Sequence, residues 1–317
     1  MAEIGTDIDK AKALLISGDV VAMPTETVYG LAGNALDEEA ILKIYSVKNR
    51  PKFDPLIAHV DTLDKIESLV NEIPEKALSL AENFWPGPLT ILLKKKPCVP
   101  DLLTSGLDRM AVRIPKHPLT LELLSQLDFP LAAPSANPFG YVSPTTATHV
   151  ENQLGEKIPY ILDGGICSVG LESTIVGFEE DKIVVYRLGG TKVEAIQSIV
   201  GKVEIKVNMS SNPAAPGMLK SHYSPGRQMI VGDIGKNLAE LDPESTGVVS
   251  YNKAFNVPER NLAILSSNED MDEAARNIFS ALRKMDQPHI KVVLSEYLPN
   301  EGLGRAVNDR LRRAAVQ

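Results

Sequence analysis

The sequence predicts an α/β protein of two domains, and three observations carry that prediction. Over the first two hundred residues, short β-branched or aliphatic runs alternate with helical patterns. The chain has 317 residues, and at ~150 residues per domain that is roughly two domains. Residues 208–227 then break the pattern with three Pro, two Gly, four Ser and two Asn and no apolar periodicity. The expected division is 1–207, a linker or lid at 208–227, and 228–317, where the alternation resumes as a small, mostly parallel, doubly wound sheet.

Within the first domain, Val20–Met23 reads as a buried strand that runs into Pro24-Thr25-Glu26-Thr27. Asp37 is placed to cap a helix with Glu38 and Glu39 in its first turn and Ile41, Leu42, Ile44 and Tyr45 as apolar positions. Further strands are expected at 55–60, 89–93, 110–114, 130–133, 158–162, 173–178, 183–187 and 203–207. Helices are expected at 63–70, 75–84, 120–127, 145–154 and 193–200. Beyond the break, strands are expected at 229–231, 247–251, 262–265 and 292–294, and helices at 271–285 and 305–315.

Hydrophobic residues are 44% and charged residues 23%, ordinary values that exclude a disordered chain, a collagen or a coiled coil. Aromatics are only 5%, so an aliphatic core is expected. The net charge of −8 argues against a bulk polyanion binder. Cys98 and Cys167 form no disulfide framework, which suits a reducing compartment. With no secretory pattern at the start and no apolar run near ~18 residues, a cytoplasmic protein with no membrane partner is expected.

The common nucleotide, zinc-protease and serine-hydrolase motifs are absent, and the five His are scattered, so no protein metal site is expected. Gly302-Leu303-Gly304 lacks the third small residue of a dinucleotide fingerprint and reads as a helix-opening turn. Lys48-Asn49-Arg50-Pro51-Lys52 is more informative, with three cations between a helix and a strand. It is either a solvated helix cap or an anion site. His59 and Arg113 fall inside apolar strands, where an inward Arg needs an anionic partner. Ser135, Ser173 and Arg187 lie at strand ends. Together these hydroxyls and guanidiniums outline a cavity for a phosphorylated ligand.

Read as a set, Pro24-Thr25-Glu26-Thr27-Val28-Tyr29-Gly30-Leu31, Lys48, Arg50-Pro51, Pro55-Leu56, Ala111-Val112-Arg113-Ile114-Pro115, Pro134-Ser135-Ala136-Asn137 and Ser173-Thr174-Ile175-Val176 resemble the YrdC-like family. Pro216-Gly217-Met218 and Ser221-His222-Tyr223-Ser224-Pro225 resemble the linker of its two-domain form. The resemblance implies a twisted sheet around a large, positively charged central cavity, plus a smaller Rossmann-like domain. It implies an L-threonylcarbamoyladenylate synthase, a nucleotidyltransferase that takes L-threonine, bicarbonate and ATP. Its product would serve threonylcarbamoyladenosine formation at position 37 of tRNA. The partners implied are these substrates, the tRNA-modification proteins that accept the product, and at most a weak contact with tRNA itself. Magnesium would arrive with ATP.

By the same resemblance, Thr27, His59, Arg113, Ala133 and Ser173 line the threonine site. Lys48, Arg50, Asp54, Ser135, Ser143, Arg187 and Tyr223 line the ATP side, with Lys48 and Arg50 as the catalytic cations. Asp54 stands where many relatives carry Asn. Arg109 stands where a Thr is common, and either adds a phosphate contact on the ATP side or points to solvent. Two rival readings are an RNA-binding module of the same fold and a carbamoyl-transfer enzyme of hydrogenase maturation. The first would use Lys94-Lys95-Lys96 and Arg310, Arg312 and Arg313, which read otherwise as solvated faces. The second would need cysteine-rich and acylphosphatase-like domains that this sequence does not contain.

Overall fold

The computed structural model describes residues 1–180, 182–207, 215–216, 223 and 226–316. Its strands form two sheets. The larger contains β1 (Glu3–Gly5), β2 (Val21–Met23), β3 (Gly30–Asn34), β4 (Ile57–His59), β5 (Leu89–Lys94), β6 (Arg109–Arg113), β7 (Leu131–Ala132), β8 (Tyr160–Leu162), β9 (Thr174–Glu179), β10 (Lys182–Arg187) and β11 (Val203–Ile205). It is mixed, in the order β1-β8-β2-β3-β7-β4-β6-β5-β9-β10-β11. Around it lie α1 (Ile8–Ile16), α2 (Glu38–Lys48), α3 (Leu63–Leu69), α4 (Glu75–Phe84), α5 (Asp101–Thr104), α6 (Pro118–Ser125), α7 (Ala147–Leu154) and α8 (Val193–Val200).

The smaller sheet holds β12 (Gln228–Val231), β13 (Thr246–Ser250), β14 (Leu262–Ile264) and β15 (Val292–Ser295) in the order β12-β15-β13-β14. All its pairings are parallel, as the alternating pattern led us to expect. Its helices are α9 (Ile234–Leu238), α10 (Met271–Lys284) and α11 (Gly304–Ala314). No helix among the described residues is long and apolar enough to cross a membrane.

Local chemistry explains the elements that matter for the site. Asp37 caps α2 by accepting from the Glu39 backbone N–H, and Asn49 ends the helix at φ 51°. The helical period that buries Ile41, Ile44 and Tyr45 carries Lys48 to the inner face as well. Strand register does the rest. In the β4–β6 pair His59 stands opposite Arg113, and in the β4–β7 pair Ala58 stands opposite Ala132. The β9–β10 ladder slips between Val185 and Arg187, and such a bulge re-aims the side chain beyond it.

The two sheets share one apolar cluster across their junction. Val28, Val142 and Leu171 of the first domain pack with Phe279, Leu311 and Tyr223. Gly170 permits the approach of backbones there. Its φ is +73°, and a Cβ on it would lie 2.4 Å from the Arg276 carbonyl oxygen. Gly304 opens α11 so tightly that a Cβ would sit 2.0 Å from the Pro299 carbonyl, the helix-opening turn that the sequence suggested.

Candidate active site

The ends of β4, β6 and β10 and the segment before β9 meet the loops around residues 25–30, 50–57 and 133–135 at one cavity. Thr27, Arg50, His59, Arg113, Ala133, Ser135, Ser173, Arg187 and Tyr223 all line it. Thus most of the residues singled out from sequence converge on one space from separate parts of the chain.

Arg113 is held from three sides. Its Nε donates to the Gly87 carbonyl at 3.1 Å and its Nη1 to Thr27 Oγ1 at 3.0 Å. Its Nη2 lies 2.6 Å from Glu26 Oε1. Glu26 is therefore the anion that an inward Arg113 required, supplied by the loop that also carries Thr27. Thr25 Oγ1 accepts the Thr27 and Val28 backbone N–H groups, both at 3.1 Å, so the loop is folded around its own hydroxyl. His59 donates from Nδ1 to the Ile57 carbonyl at 3.2 Å. Burial, then the nearby Arg113 charge, lowers its imidazole to about 3, so it is neutral near pH 7.

On the opposite wall, Arg187 donates to Ser173 twice, from Nε to the carbonyl and from Nη2 to Oγ, both at 3.0 Å. Thr90 and Ser173 share a hydroxyl contact at 2.7 Å. Burial pulls the Arg187 guanidinium down to about 10, still cationic at neutral pH. Arg50 donates to the Asp54 and Pro55 carbonyls at 3.1 and 2.9 Å, and its Nη2 meets Asp54 Oδ2 at 2.8 Å. The Lys48–Lys52 segment is therefore more than a helix cap, since Arg50 turns inward.

Four expected site residues do not line the cavity. Lys48 lies behind it, where its ammonium donates to the Ser135 carbonyl and, at 2.5 Å, to the Asn137 carbonyl. Burial, then Arg50, holds that ammonium well below the ordinary lysine value. Asp54 is fully buried against Arg50. Ser143 stands one step back, donating to Glu172 Oε1 at 2.6 Å. Arg109 starts the strand that Arg113 ends, so it lies away from the cavity against Tyr186 and the Phe178 carbonyl. In the linker, Pro216 and Tyr223 line the cavity, while Gly217, Met218, Ser221, His222, Ser224 and Pro225 lie outside the described residues.

The sequence reading did not single out Glu172, which lines the cavity, and it placed Arg310 and Arg313 on solvated faces. Both are instead buried, at 0% and 1% exposure, because they share α11's inner face with Val307, Leu311 and Ala314. Arg312 points outward. A further pattern emerges from burial. Among the described residues the buried lysines and arginines are Lys48, Arg50, Arg113, Arg187, Arg310 and Arg313, and the buried carboxylates are Glu26, Asp54, Glu172 and Asp309. Nine of the ten line this cavity or touch a residue that does, with Asp309 one step further back behind Arg310, and cations are in excess.

The strand ends of a mixed sheet thus gather buried guanidiniums and hydroxyls around one cavity. The Sua5, YciO and YrdC family model, described as telomere recombination, matches residues 13–189. A model described as threonylcarbamoyl-AMP synthase, C-terminal domain, matches residues 191–316. The chain belongs to this family, in its two-domain form. It is 39% identical to the threonylcarbamoyl-AMP synthase of Pyrococcus abyssi, covering 96% of this chain and 93% of that one. It is 36% identical to that of Bacillus subtilis, covering 97% and 92%. The crystal structure of P. abyssi Sua5 complexed with L-threonine superposes with a TM-score of 0.91 at 40% identity, over 97% of this chain and 94% of that one. E. coli YciO shares the fold, with a TM-score of 0.53 at 22% identity over 60% of this chain and 96% of its own.

Proposed function

We propose that this chain is a threonylcarbamoyl-AMP synthase that uses L-threonine, bicarbonate and ATP and releases pyrophosphate. The supporting observation is the gathering of all described buried charges around one cavity, with cations in excess, in a chain whose net charge is −8. Burying charge is costly, and an excess of one sign is retained where a ligand of the other sign completes the balance.

The chemistry needs that excess. Threonine's nitrogen joins the carbon of bicarbonate with loss of water, giving a carbamate. A carbamate oxygen then bonds to the α-phosphorus of ATP, the bond from that phosphorus to the bridging oxygen breaks, and pyrophosphate leaves. Both reactants are anions, so the protein must screen their repulsion and hold them in line. Arg113, Thr27, His59, Ala133 and Ser173 form the threonine side. Arg50, Ser135, Arg187 and Tyr223 form the nucleotide side. Lys48 acts from behind, fixing the Ser135–Asn137 backbone. Magnesium enters as part of the nucleotide substrate. The product is a mixed anhydride suited to transfer by partner proteins to adenosine 37 of tRNA.

Pyrophosphate release by the purified chain tests this reading, with threonine, bicarbonate and magnesium-ATP supplied together and then omitted singly. Release should require both threonine and bicarbonate. Equal turnover with glycine in place of threonine would overturn the threonine assignment.

A further inference from the structure

We propose that Arg310, on the second domain, is a positioning residue for the nucleotide side of the cavity: it occupies Glu172 and so leaves Arg187 available to the ligand's phosphates. The proposal rests on the synthase reading for its substrate. The geometry extends across the domain junction. Arg310 is fully buried, and its Nε and Nη2 both donate to Glu172 Oε2 at 3.0 Å. Its Nη1 donates to Asp309 Oδ2 at 2.9 Å. The other Glu172 oxygen accepts from Ser143. Both oxygens of a carboxylate that faces the cavity are thus engaged, one of them by the second domain.

The same guanidinium sits 5.1 Å from the centre of the Tyr223 ring, and Arg313 sits 5.0 Å from it. Tyr223 stacks on Phe279 of α10 at 5.5 Å. Three side chains of the second domain therefore set the place of a ring that lines the first domain's cavity.

Stability alone does not account for this ion pair. A buried salt bridge can often be replaced by apolar residues without loss. Arg310 shares α11's buried face with Val307 and Leu311, members of the apolar cluster at the junction, and that setting would accept one. What an apolar residue could not do is satisfy Glu172. That carboxylate is adjacent in sequence to Ser173, to which Arg187 is bonded. Arg187 itself has no carboxylate within ion-pair distance among the described residues. Without Arg310, Glu172 would present an unscreened anion to the phosphates and compete with them for Arg187. The second domain thereby completes a site whose other charged groups come from the first.

The test compares full-length Arg310→Met, Arg310→Gln and the double variant Arg310→Met/Glu172→Gln, each checked for folding by circular dichroism. Two quantities are read: the Kd of a non-hydrolysable ATP analogue, and the KM values for ATP and threonine. Arg310→Met should weaken analogue binding and raise the ATP KM by roughly tenfold, the worth of one charge-assisted contact. The threonine KM should stay within about twofold, and removing the Glu172 charge in the double variant should recover most of the loss. A merely structural role would move the ATP and threonine KM values together, and that result would overturn the proposal, as would a double variant no better than the single one. So would unchanged analogue affinity in folded Arg310→Met. If Arg310→Met does not fold, Arg310→Gln decides, because it removes the charge but keeps a polar side chain that can still donate to Glu172. Weaker analogue binding supports the proposal and unchanged binding overturns it. Analogue binding needs no turnover, so failure of the synthase reading would appear separately, as absent product with nucleotide affinity still responding to Arg310.

Discussion

Arg113 and Glu26 meet at 2.6 Å at the cavity wall, each only 4% exposed. Removing one member of such a pair leaves the other charged and buried. Glu26→Ala should therefore destabilise the protein by about 3–5 kcal/mol. Urea unfolding of the variant against the parent chain reads this directly. A difference below about 1 kcal/mol, the range of an exposed pair, would show that Arg113 is held without Glu26.

Threonine should be preferred over serine. The cavity offers apolar surface at Val28, Leu56, Ile57 and Ala133 beside its hydroxyls. One methyl group in such a setting is worth about 1–3 kcal/mol. The ratio of kcat/KM for the two amino acids, measured at saturating ATP and bicarbonate, should reflect this. Equal values would mean that no apolar contact reads the methyl.

Arg50 should contribute to the reaction and to its own loop. Arg50→Lys keeps a cation near Asp54 but loses the fork that reaches two backbone carbonyls. We expect the barrier reported by kcat/KM for ATP to rise by about 2–4 kcal/mol, the range for removing a preorganised donor at a developing charge. Initial rates across an ATP series check it, and parent-like values would reduce Arg50 to a structural clasp.

His59 should make stability pH-dependent. Its imidazole falls from the ordinary 6.5 to about 3 on folding, chiefly through burial. Below pH 6.5 the unfolded chain binds a proton that the native chain refuses until about pH 3. Stability contributed in this way rises with pH across that window and is lost on acidification. Urea midpoints at pH 7 and pH 5 should differ more in the parent than in His59→Gln. The same pH response in both would show that His59 is not the group responsible.

Much of this site was legible because strand-end positions are visible as polar residues in apolar runs. His59 and Arg113 stood out for that reason, and their register in adjacent strands brings them together. Their partners were less visible. Glu26 sits in a loop, and nothing local distinguishes it from a solvated carboxylate until the sheet places it against Arg113. Arg310 and Arg313 were misread because two cations near a helix end look solvated. Only the facing domain shows that this side of α11 is the buried one. In the fold, β3 went unread because Gly30-Leu31-Ala32-Gly33-Asn34 has no β-branched residue. Gly33 is there for closeness, since a Cβ would come within 3.2 Å of Ile44. The three-residue β1 and four-residue α5 are too short to show a period. Arg109 misled in the other direction, because a motif position cannot tell which end of a strand faces the cavity.

The central claim is that the cavity joins a carboxylated threonine to AMP, and product mass tests it most directly. The full-length chain should be incubated with threonine, magnesium-ATP and carbon-13 bicarbonate, and the product resolved quickly by mass spectrometry. The account predicts threonylcarbamoyl-AMP carrying one heavy carbon, formed in step with pyrophosphate. Threonine-dependent pyrophosphate release with an unlabelled threonyl-AMP product, indifferent to bicarbonate, would contradict it.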